Sequence, residues 1–154
     1  MSAVVTEFLV RLDIRGGPPN ELGQTPYGRR RIVPVSGGTF SGPRLNGEIL
    51  PVGGDVALIR SDGVFESDAD LVLRAHDGAL IHVTYRGRWH ASADVMARLL
   101  RRDTGVDPAS YYFRTAVMFE TSAEDYLWLN KLLAIGVGEP QPGAGIVYRI
   151  QSVL

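Results

Sequence analysis

Residues 64–86 read VFESDADLVLRAHDGALIHVTYR, and this stretch decides the fold. Two runs rich in apolar and β-branched residues, 64–75 and 79–86, flank the dipeptide Asp77-Gly78. Asp-Gly between two such runs is one of the strongest short-range signals for a β-hairpin, because both residues tolerate the backbone of a tight turn. The stretch therefore predicts two antiparallel strands that are joined directly, without a crossover helix.

The two faces of this predicted hairpin depend on the length of its turn. A two-residue loop at Asp77-Gly78 places Leu73 opposite His82. Successive side chains alternate between the faces of a strand, so apolar and polar residues then share both faces. Mixed faces are typical of a partly polar barrel lumen or of an oligomer surface.

Outward from the hairpin, the chain continues as short strands separated by glycine and proline. Residues 7–14 alternate between apolar and polar side chains, which indicates a strand with one buried face. Glycine and proline at 16–19 end this strand, and the segment up to residue 28 is interpreted as a loop. Further strands are predicted at 29–35, 56–60, 111–120 and 146–154, with a break at 37–38 and a glycine-rich turn at 51–55.

The first of two predicted helices covers residues 93–102. Ser92 precedes it as a capping residue, and Arg101 and Arg102 stand in its last turn, where the helix dipole favours positive charge. Regular helices do not separate the strands, which disfavours a parallel α/β sheet. The pattern predicts a mainly β protein of about eight to ten strands and two short helices, folded as an antiparallel barrel or curved sandwich. A barrel of this size can hold one small ligand.

The composition describes a single globular domain over residues 1–154. Hydrophobic residues make up 45% of the chain and charged residues 21%, which is ordinary for a folded protein. A net charge of −1 argues against nucleic-acid binding, which depends on phosphate contacts. The chain has no cysteine, no secretory signal and no apolar run of the roughly 18 residues that span a bilayer. We therefore expect a cytoplasmic protein that binds neither nucleic acid nor a membrane.

The sequence carries no motif for a metal or a cofactor. Its three histidines, His76, His82 and His90, form no HExxH or HxH pair. Glycine-rich phosphate loops and the GxSxG nucleophile motif are also missing, so neither a cofactor nor a metal is expected. His82 lies inside a predicted strand, where it is either a pocket group or an outward, hydrogen-bonded residue.

Asp55 is the carboxylate that we single out. It follows Gly53-Gly54 and precedes the apolar run 56–59, so it either stabilises a turn or enters a pocket as an acid. A barrel pocket raises the pKa of a carboxyl group by desolvation, and this suits proton-transfer catalysis.

Three consecutive arginines enter a predicted strand. Alternation puts Arg30 on one face and Arg29 and Arg31 on the other. The run is either a solvated edge, or one arginine points inward and pairs with Asp55 or with a ligand carboxylate. Arg114, in the middle of a later strand, presents the same choice.

The second predicted helix, at about 123–132 and capped by Thr121 or Ser122, carries Trp128 and Asn130. Trp128 is either a packing anchor that closes the barrel end or a pocket wall. In the second case, Asn130 is a polar contact that orients a ligand.

An ordered set of short motifs resembles a known bacterial and fungal family, domain of unknown function 3237, from about residue 8 to residue 154. The resemblance implies a lipocalin-like or calycin-like antiparallel barrel and favours a small-molecule pocket. The motifs are GRRRIVPVSGGTF (28–40), GPRLNG (42–47), LP (50–51), GGD (53–55), DGALI (77–81), YFRT (112–115), FET (119–121) and WLN (128–130).

The chain departs from the family pattern at three positions. Val56 stands where the family usually has Trp, and Leu71 and His82 stand where Tyr is frequent. All three changes alter a pocket, which suggests a specialised substrate or a member that has drifted.

These observations lead to one functional hypothesis, one alternative and a weaker third interpretation, a structural or partner-binding subunit. The hypothesis is a cofactor-independent isomerase, lyase or cyclase that acts on an apolar or aromatic metabolite. Asp55 would be its acid or base, and His82, Arg31 or Arg114 would polarise an oxygen. The alternative is a non-catalytic carrier or sensor of a hydrophobic small molecule, and either protein is expected to form a homodimer. The predicted substrate contacts are Tyr112, Trp128, Asn130, Phe40 and Tyr85.

Overall fold

A computed structural model describes residues 2–143 and 145–154. Within these residues, nine strands form one antiparallel sheet, which one α-helix, α1 (Ala93–Leu100), and two short 3₁₀ helices accompany. The 3₁₀ helices are Pro108–Ser110 and Glu124–Lys131. The strands are β1 (Thr6–Gly16), β2 (Asn20–Thr25), β3 (Gly28–Ser41), β4 (Asn46–Ile59), β5 (Phe65–Ala75), β6 (Leu80–Ala91), β7 (Tyr111–Glu120), β8 (Ala134–Pro140) and β9 (Gly145–Val153).

The sheet closes on itself to form an eight-stranded barrel. Its strand order is β1-β9-β8-β7-β6-β5-β4-β3-β2, and an additional pairing joins β1 to β3. The barrel therefore consists of β1 and β3 to β9, while β2 extends β3 as an outer hairpin strand. This architecture confirms the predicted antiparallel barrel.

Aromatic side chains fill much of the lumen. The ring of Trp89 stacks on Phe113 with centroids 4.8 Å apart and meets the edge of Phe65 at 5.2 Å. Tyr148 in turn contacts Phe113 at 5.5 Å and Tyr85 at 5.1 Å. This continuous aromatic cluster lies inside the lumen and connects β5, β6, β7 and β9. Its side chains are almost completely buried.

The central hairpin is present, but its register differs by one residue from the prediction. The turn has three residues, because Gly78 donates to the carbonyl of Ala75 at 2.8 Å and has a φ of +91°. Leu73 consequently pairs with Ile81, and His82 faces outward. A shift of one residue moves every side chain to the other face. The prediction of mixed faces was wrong, since one face is entirely buried: Leu71, Leu73, Ile81, Val83 and Tyr85.

Glycine-rich segments that were predicted as breaks lie inside long, bulged strands. β3 runs through residues 37–38 and β4 through 51–55, and the β3–β4 register shifts between Pro34 and Gly38. At Gly38, φ is +146°, and a Cβ atom would collide with the carbonyl oxygen of Asp13. Bulges of this kind bend a strand without ending it, which explains why the predicted turn was wrong. The predicted loop at 16–28 also contains a strand, β2.

One end of the barrel is covered by α1. Ser92 caps this helix as predicted, since its Oγ accepts a hydrogen bond from the backbone of Val95 at 3.3 Å. Met96 and Leu99 are buried against the barrel. In the described part of the chain, no helix has the length and apolar character needed to cross a membrane.

The opposite end is closed by the 3₁₀ helix Glu124–Lys131. The Tyr126 hydroxyl donates to the Asp77 carboxylate at 3.0 Å, which ties this helix to the β5–β6 turn. The guanidinium of Arg44 lies 3.7 Å from the ring centre of Trp128. The helix is 3₁₀ rather than the predicted α-helix. Its capping residue is Ala123, which makes no side-chain capping hydrogen bond, so the predicted cap at Thr121 or Ser122 was wrong; the Thr121 hydroxyl accepts from the backbone N–H of Ala123 before the helix begins.

The observed register predicts unequal effects of two neighbouring substitutions. Ile81 is fully buried, whereas Leu80 is 53% exposed. Ile81→Ala should lower the free energy of unfolding by about 2–5 kcal/mol, because it leaves a cavity in the core. Leu80→Ala should cost less than about 1 kcal/mol. Urea unfolding of both variants measures the difference, and equal losses would contradict the register.

Candidate functional site

A cavity of about 50 Å³ lies at the end of the barrel that α1 covers. It is open to solvent, and most of its wall is apolar. Polar groups enter it from β3, β4, β6 and the residues after α1. The lining residues are Ile14, Gly16, Arg31, Val33, Pro34, Val35, Asp55, Phe65, Tyr85, Trp89, Leu100, Arg102 and Ile146.

Asp55 is the carboxylate of this cavity. It lies within β4, not in a turn, and its Oδ1 accepts a hydrogen bond from the backbone N–H of Asp68 at 2.9 Å. Burial raises the pKa of Asp55 to about 6, although the hydrogen bonds from Asp68 and from the Ser67 hydroxyl act in the opposite direction. Asp55 therefore exchanges its proton close to neutral pH.

The pairing of β4, β5 and β6 places Tyr85 near Asp55. Asp55 pairs with Ala69, and Ala69 pairs with Tyr85, so the three residues form one row across the sheet. The small Ala69 side chain leaves space between its two larger neighbours. Burial is the largest cause that raises the pKa of Tyr85, and the charge of Asp55 adds to it. Tyr85 consequently stays protonated and can donate a hydrogen bond.

Arg31 also lines the cavity, as one sequence-based alternative proposed, but its partner is not Asp55. Its Nε donates to Oε1 of Glu21 at 2.7 Å, and Glu21 belongs to the unpredicted strand β2. Arg29 approaches the same carboxylate at 3.6 Å. Glu21 thus holds the Arg31 side chain at the edge of the cavity.

Arg102 was not predicted as a site residue. It follows α1 with a φ of +61°, the left-handed conformation that a non-glycine residue adopts at a cost of about 1–3 kcal/mol. Its Nη1 donates to the carbonyl oxygen of Gly145 at 3.1 Å. Burial, followed by the nearby charge of Arg31, lowers the pKa of Arg102. In the sequence, the helix dipole already explained why a positive residue stands at position 102. No sequence pattern indicated that Arg102 also lines the cavity.

Trp89 and Phe65 were also not singled out from the sequence. Both line the cavity as part of the aromatic cluster. The indole N–H of Trp89 is buried and has no hydrogen-bond partner among the residues that the structure describes. Alternation along β6 marks Trp89 as a core residue, but only barrel closure places it beside a cavity.

Three predicted site residues lie on the outer surface of the barrel. His82 points outward, as one alternative predicted, but the nearby carboxylates of Asp70 and Glu120 lie 3.7 and 4.0 Å away, beyond hydrogen-bond distance. Arg114 faces outward from β7, with its guanidinium 5.4 Å from the ring centre of Tyr112. Tyr112 itself is 47% exposed. The observed register explains these positions, because each of the three lies on the outward-facing set of its strand.

Three other predicted contacts also lie outside the cavity lining. Trp128 packs under Arg44 in the closed end, which corresponds to the packing-anchor alternative. Asn130 binds the backbone of Thr121 at the other end of its segment. Its side-chain oxygen accepts from the N–H of Thr121 at 2.8 Å, and its side-chain nitrogen donates to the Thr121 carbonyl at 2.9 Å. Phe40 is buried in the core. Within residues 2–143 and 145–154, no three His, Asp or Glu side chains cluster closely enough to hold a metal ion.

The pKa of Asp55 predicts how stability depends on pH. The unfolded carboxyl has a pKa near 3.8 and the folded one about 6, so the native state binds the proton more tightly and loses stability as pH rises between these values. Asp55→Asn removes this penalty. The variant should exceed the wild type by up to about 3 kcal/mol above pH 6 and lose this advantage near pH 4.

Urea unfolding across that pH range measures the difference. Asp70→Asn is the matched control, because the Asp70 side chain is 55% exposed on the outer face. An advantage of Asp55→Asn that does not change with pH would contradict the raised pKa.

Comparison with known proteins places this architecture in a family. The sequence pattern of the family described as "Protein of unknown function (DUF3237)" matches residues 4–153. A UPF0311 protein of Rhodopseudomonas palustris is 34% identical over 131 residues, which is 85% of each chain. A crystal structure of a conserved protein of unknown function from the same organism covers 100% of both chains, with 30% identity and a TM-score of 0.94.

A more distant relative has a named activity. The hydroalkoxylation enzyme phnH of Penicillium herquei is 28% identical over 131 residues, or 84% of this chain and 71% of the fungal one. The match of the family pattern to nearly the whole chain, together with the relative that is more than 30% identical, settles the family. The chain belongs to the DUF3237 family.

Proposed function

We propose that this protein is a cofactor-independent enzyme that moves a proton on a small apolar or aromatic substrate bound in the cavity beneath α1. Asp55 is the group that carries the proton. The proposal belongs to the isomerase, lyase or cyclase class that the sequence suggested. It depends on one observation above the others, which is a carboxyl group with a pKa of about 6 in a mostly apolar cavity.

The raised pKa suits Asp55 to both halves of a proton transfer. A general acid or base works best when its pKa lies near the pH at which the enzyme operates. An ordinary aspartate, with a pKa near 3.9, is almost fully ionised at neutral pH, so very few molecules hold the protonated form that can act as an acid. At a pKa of about 6, Asp55 has substantial populations of both forms near neutral pH.

The named activity of the fungal relative is compatible with this chemistry. Hydroalkoxylation adds an O–H bond across a carbon–carbon multiple bond, and an intramolecular version is an isomerisation that closes a ring. Asp55 would donate its proton to one carbon, and the substrate oxygen would bond to the other. The proton released from that oxygen would return to the Asp55 carboxylate, so the enzyme ends in its starting form.

The neighbours of Asp55 support this assignment. Tyr85 keeps its proton and can donate a hydrogen bond to a substrate oxygen. Phe65, Trp89 and Leu100 provide apolar walls that hold a substrate in a shape close to ring closure. Because the cavity is open and measures about 50 Å³, only the reacting part of a substrate lies inside it, and the remainder extends through the opening.

Turnover of small alkenols tests the proposal. The probes are ortho-alkenyl phenols and aliphatic alcohols whose alkene lies within ring-closing distance. We expect wild-type protein to convert at least one of them to a cyclic ether of unchanged mass. In deuterium oxide, the product should carry one deuterium on carbon, which mass spectrometry and NMR detect. Asp55→Asn should reduce this rate by about 100-fold or more.

The pH profile separates an acid role from a structural one. If the resting enzyme must be protonated at Asp55, kcat/KM should be constant below about pH 6 and fall tenfold per pH unit above it. Asp70→Asn should leave both the rate and the profile unchanged. Asp55→Asn that retains wild-type turnover would refute the catalytic role of Asp55.

The apolar wall of the cavity also favours the carrier alternative. Nine of the thirteen lining residues are apolar or glycine, a composition that can hold a hydrophobic ligand without chemistry. A carrier would bind the same probes with equal affinity in the wild type and in Asp55→Asn, and would release them unchanged. That result would replace the enzyme proposal by the carrier.

A further inference from the structure

We propose that Arg102 and Arg31 form an anion-binding position in the wall of the cavity, so that the ligand carries an anionic oxygen. The chemical class is a carboxylic acid with an apolar body, whose carboxylate is separate from the hydroxyl oxygen that closes the ring. The inference deepens the proposed function, because it rests on the cavity being the substrate site. It assigns a role to Arg102, which the proton chemistry of Asp55 does not use.

The first observation is the placement of two guanidinium groups around one small cavity. Arg31 comes from β3 and Arg102 from the segment after α1, and both line the same space. A hydrogen bond from Arg102 to the Gly145 carbonyl positions the second group. Burial, and after it the charge of Arg31, lowers the pKa of Arg102. Two like charges remain close together at lowest cost when an anion binds between them.

The second observation is the imbalance of charge. Arg29 and Arg31 share a single carboxylate, that of Glu21. Among the residues that the structure describes, no carboxylate lies within 4.0 Å of Arg102. Asp55 adds at most one negative charge against the two guanidinium groups of the wall, and below its pKa of about 6 it adds none. The cavity wall therefore has a surplus of positive charge, which disfavours a cation and favours an anion.

The third observation concerns the rest of the ligand. Phe65, Trp89 and Leu100 occupy the cavity wall together with the two arginines. An inorganic anion would satisfy the arginines and leave this apolar surface in contact with water. A small organic acid satisfies both, since its charged end can bond to the guanidinium groups while its body packs on the rings.

A pair of almost isosteric probes tests the inference. Para-fluorobenzoate carries the anion, and para-fluorobenzamide replaces it with a neutral amide of similar shape. Fluorine NMR titration gives the Kd of each. We expect the wild type to bind the benzoate at least about tenfold more tightly than the amide, because charge-assisted hydrogen bonds are the stronger ones.

Variants at Arg102 and at its neighbour Arg101 test whether the preference for the benzoate over the amide depends on Arg102. Arg102→Gln should remove most of the preference for the benzoate, and Arg102→Lys should retain part of it. Arg101→Gln is the matched control, since Arg101 is the neighbouring residue, is 64% exposed and pairs with Asp103. Its preference should equal that of the wild type. If Arg102→Gln does not fold, as judged by circular dichroism, Arg31→Gln provides the second variant and should also weaken benzoate binding.

Asp55→Asn separates this inference from the proposed function. Above the pKa of Asp55, the variant lacks the carboxylate that repels the benzoate, so its affinity for the benzoate should rise while turnover is lost. A benzoate preference without any alkenol turnover would refute the enzyme and leave the anion site standing. Wild-type protein that fails to bind the benzoate, or Arg102→Gln that keeps the full preference, would overturn the anion site alone.

Discussion

The pairing of β1 with β3 is the contact on which the rest of the structure depends. It converts an open sheet into a closed barrel, and β3 can make it because the strand bends at the bulge between Pro34 and Gly38. Without this closure, the inner faces of both strands would meet water, and Asp55 would lose the burial that raises its pKa. The glycines of β3 do not line the cavity. They affect the pKa of Asp55 indirectly, because they let β3 bend and the barrel close.

The two ends of the barrel have different tasks. The end that contains Asp77, Arg44 and Trp128 is closed by a hydrogen bond and a cation–π contact. The other end, under α1, contains the cavity lined by Asp55 and Arg102. Several motifs that carry the family resemblance, DGALI, GPRLNG and WLN, belong to the closed end, whereas GRRR and GGD reach the cavity. Much of the resemblance thus concerns how the barrel is closed, and a smaller part concerns residues that line the cavity.

The cavity combines a carboxyl group that is costly to ionise with arginines that are costly to bury. Asp55 meets two donors that favour its charged form, yet desolvation outweighs them. Arg102 adopts a left-handed backbone and lies near a like charge. Natural proteins retain such unfavourable features mainly where function needs them. The concentration of these features in one cavity is the physical basis for regarding it as the functional site.

The sequence by itself determined most of the strands, the existence of the central hairpin, the Ser92 cap and the antiparallel barrel, because alternation and capping are read within a few residues. It missed β2 and the continuation of β3 and β4 through their bulges. It also identified Asp55 and Tyr85 as candidate site residues, and both line the cavity. Only the tertiary structure decided which residues share the cavity. One additional residue in the turn at Asp77 sends His82 outward, since side chains alternate with a period of two. Arg102 enters the cavity only through the way α1 folds back over the barrel, a long-range contact for which no local pattern exists.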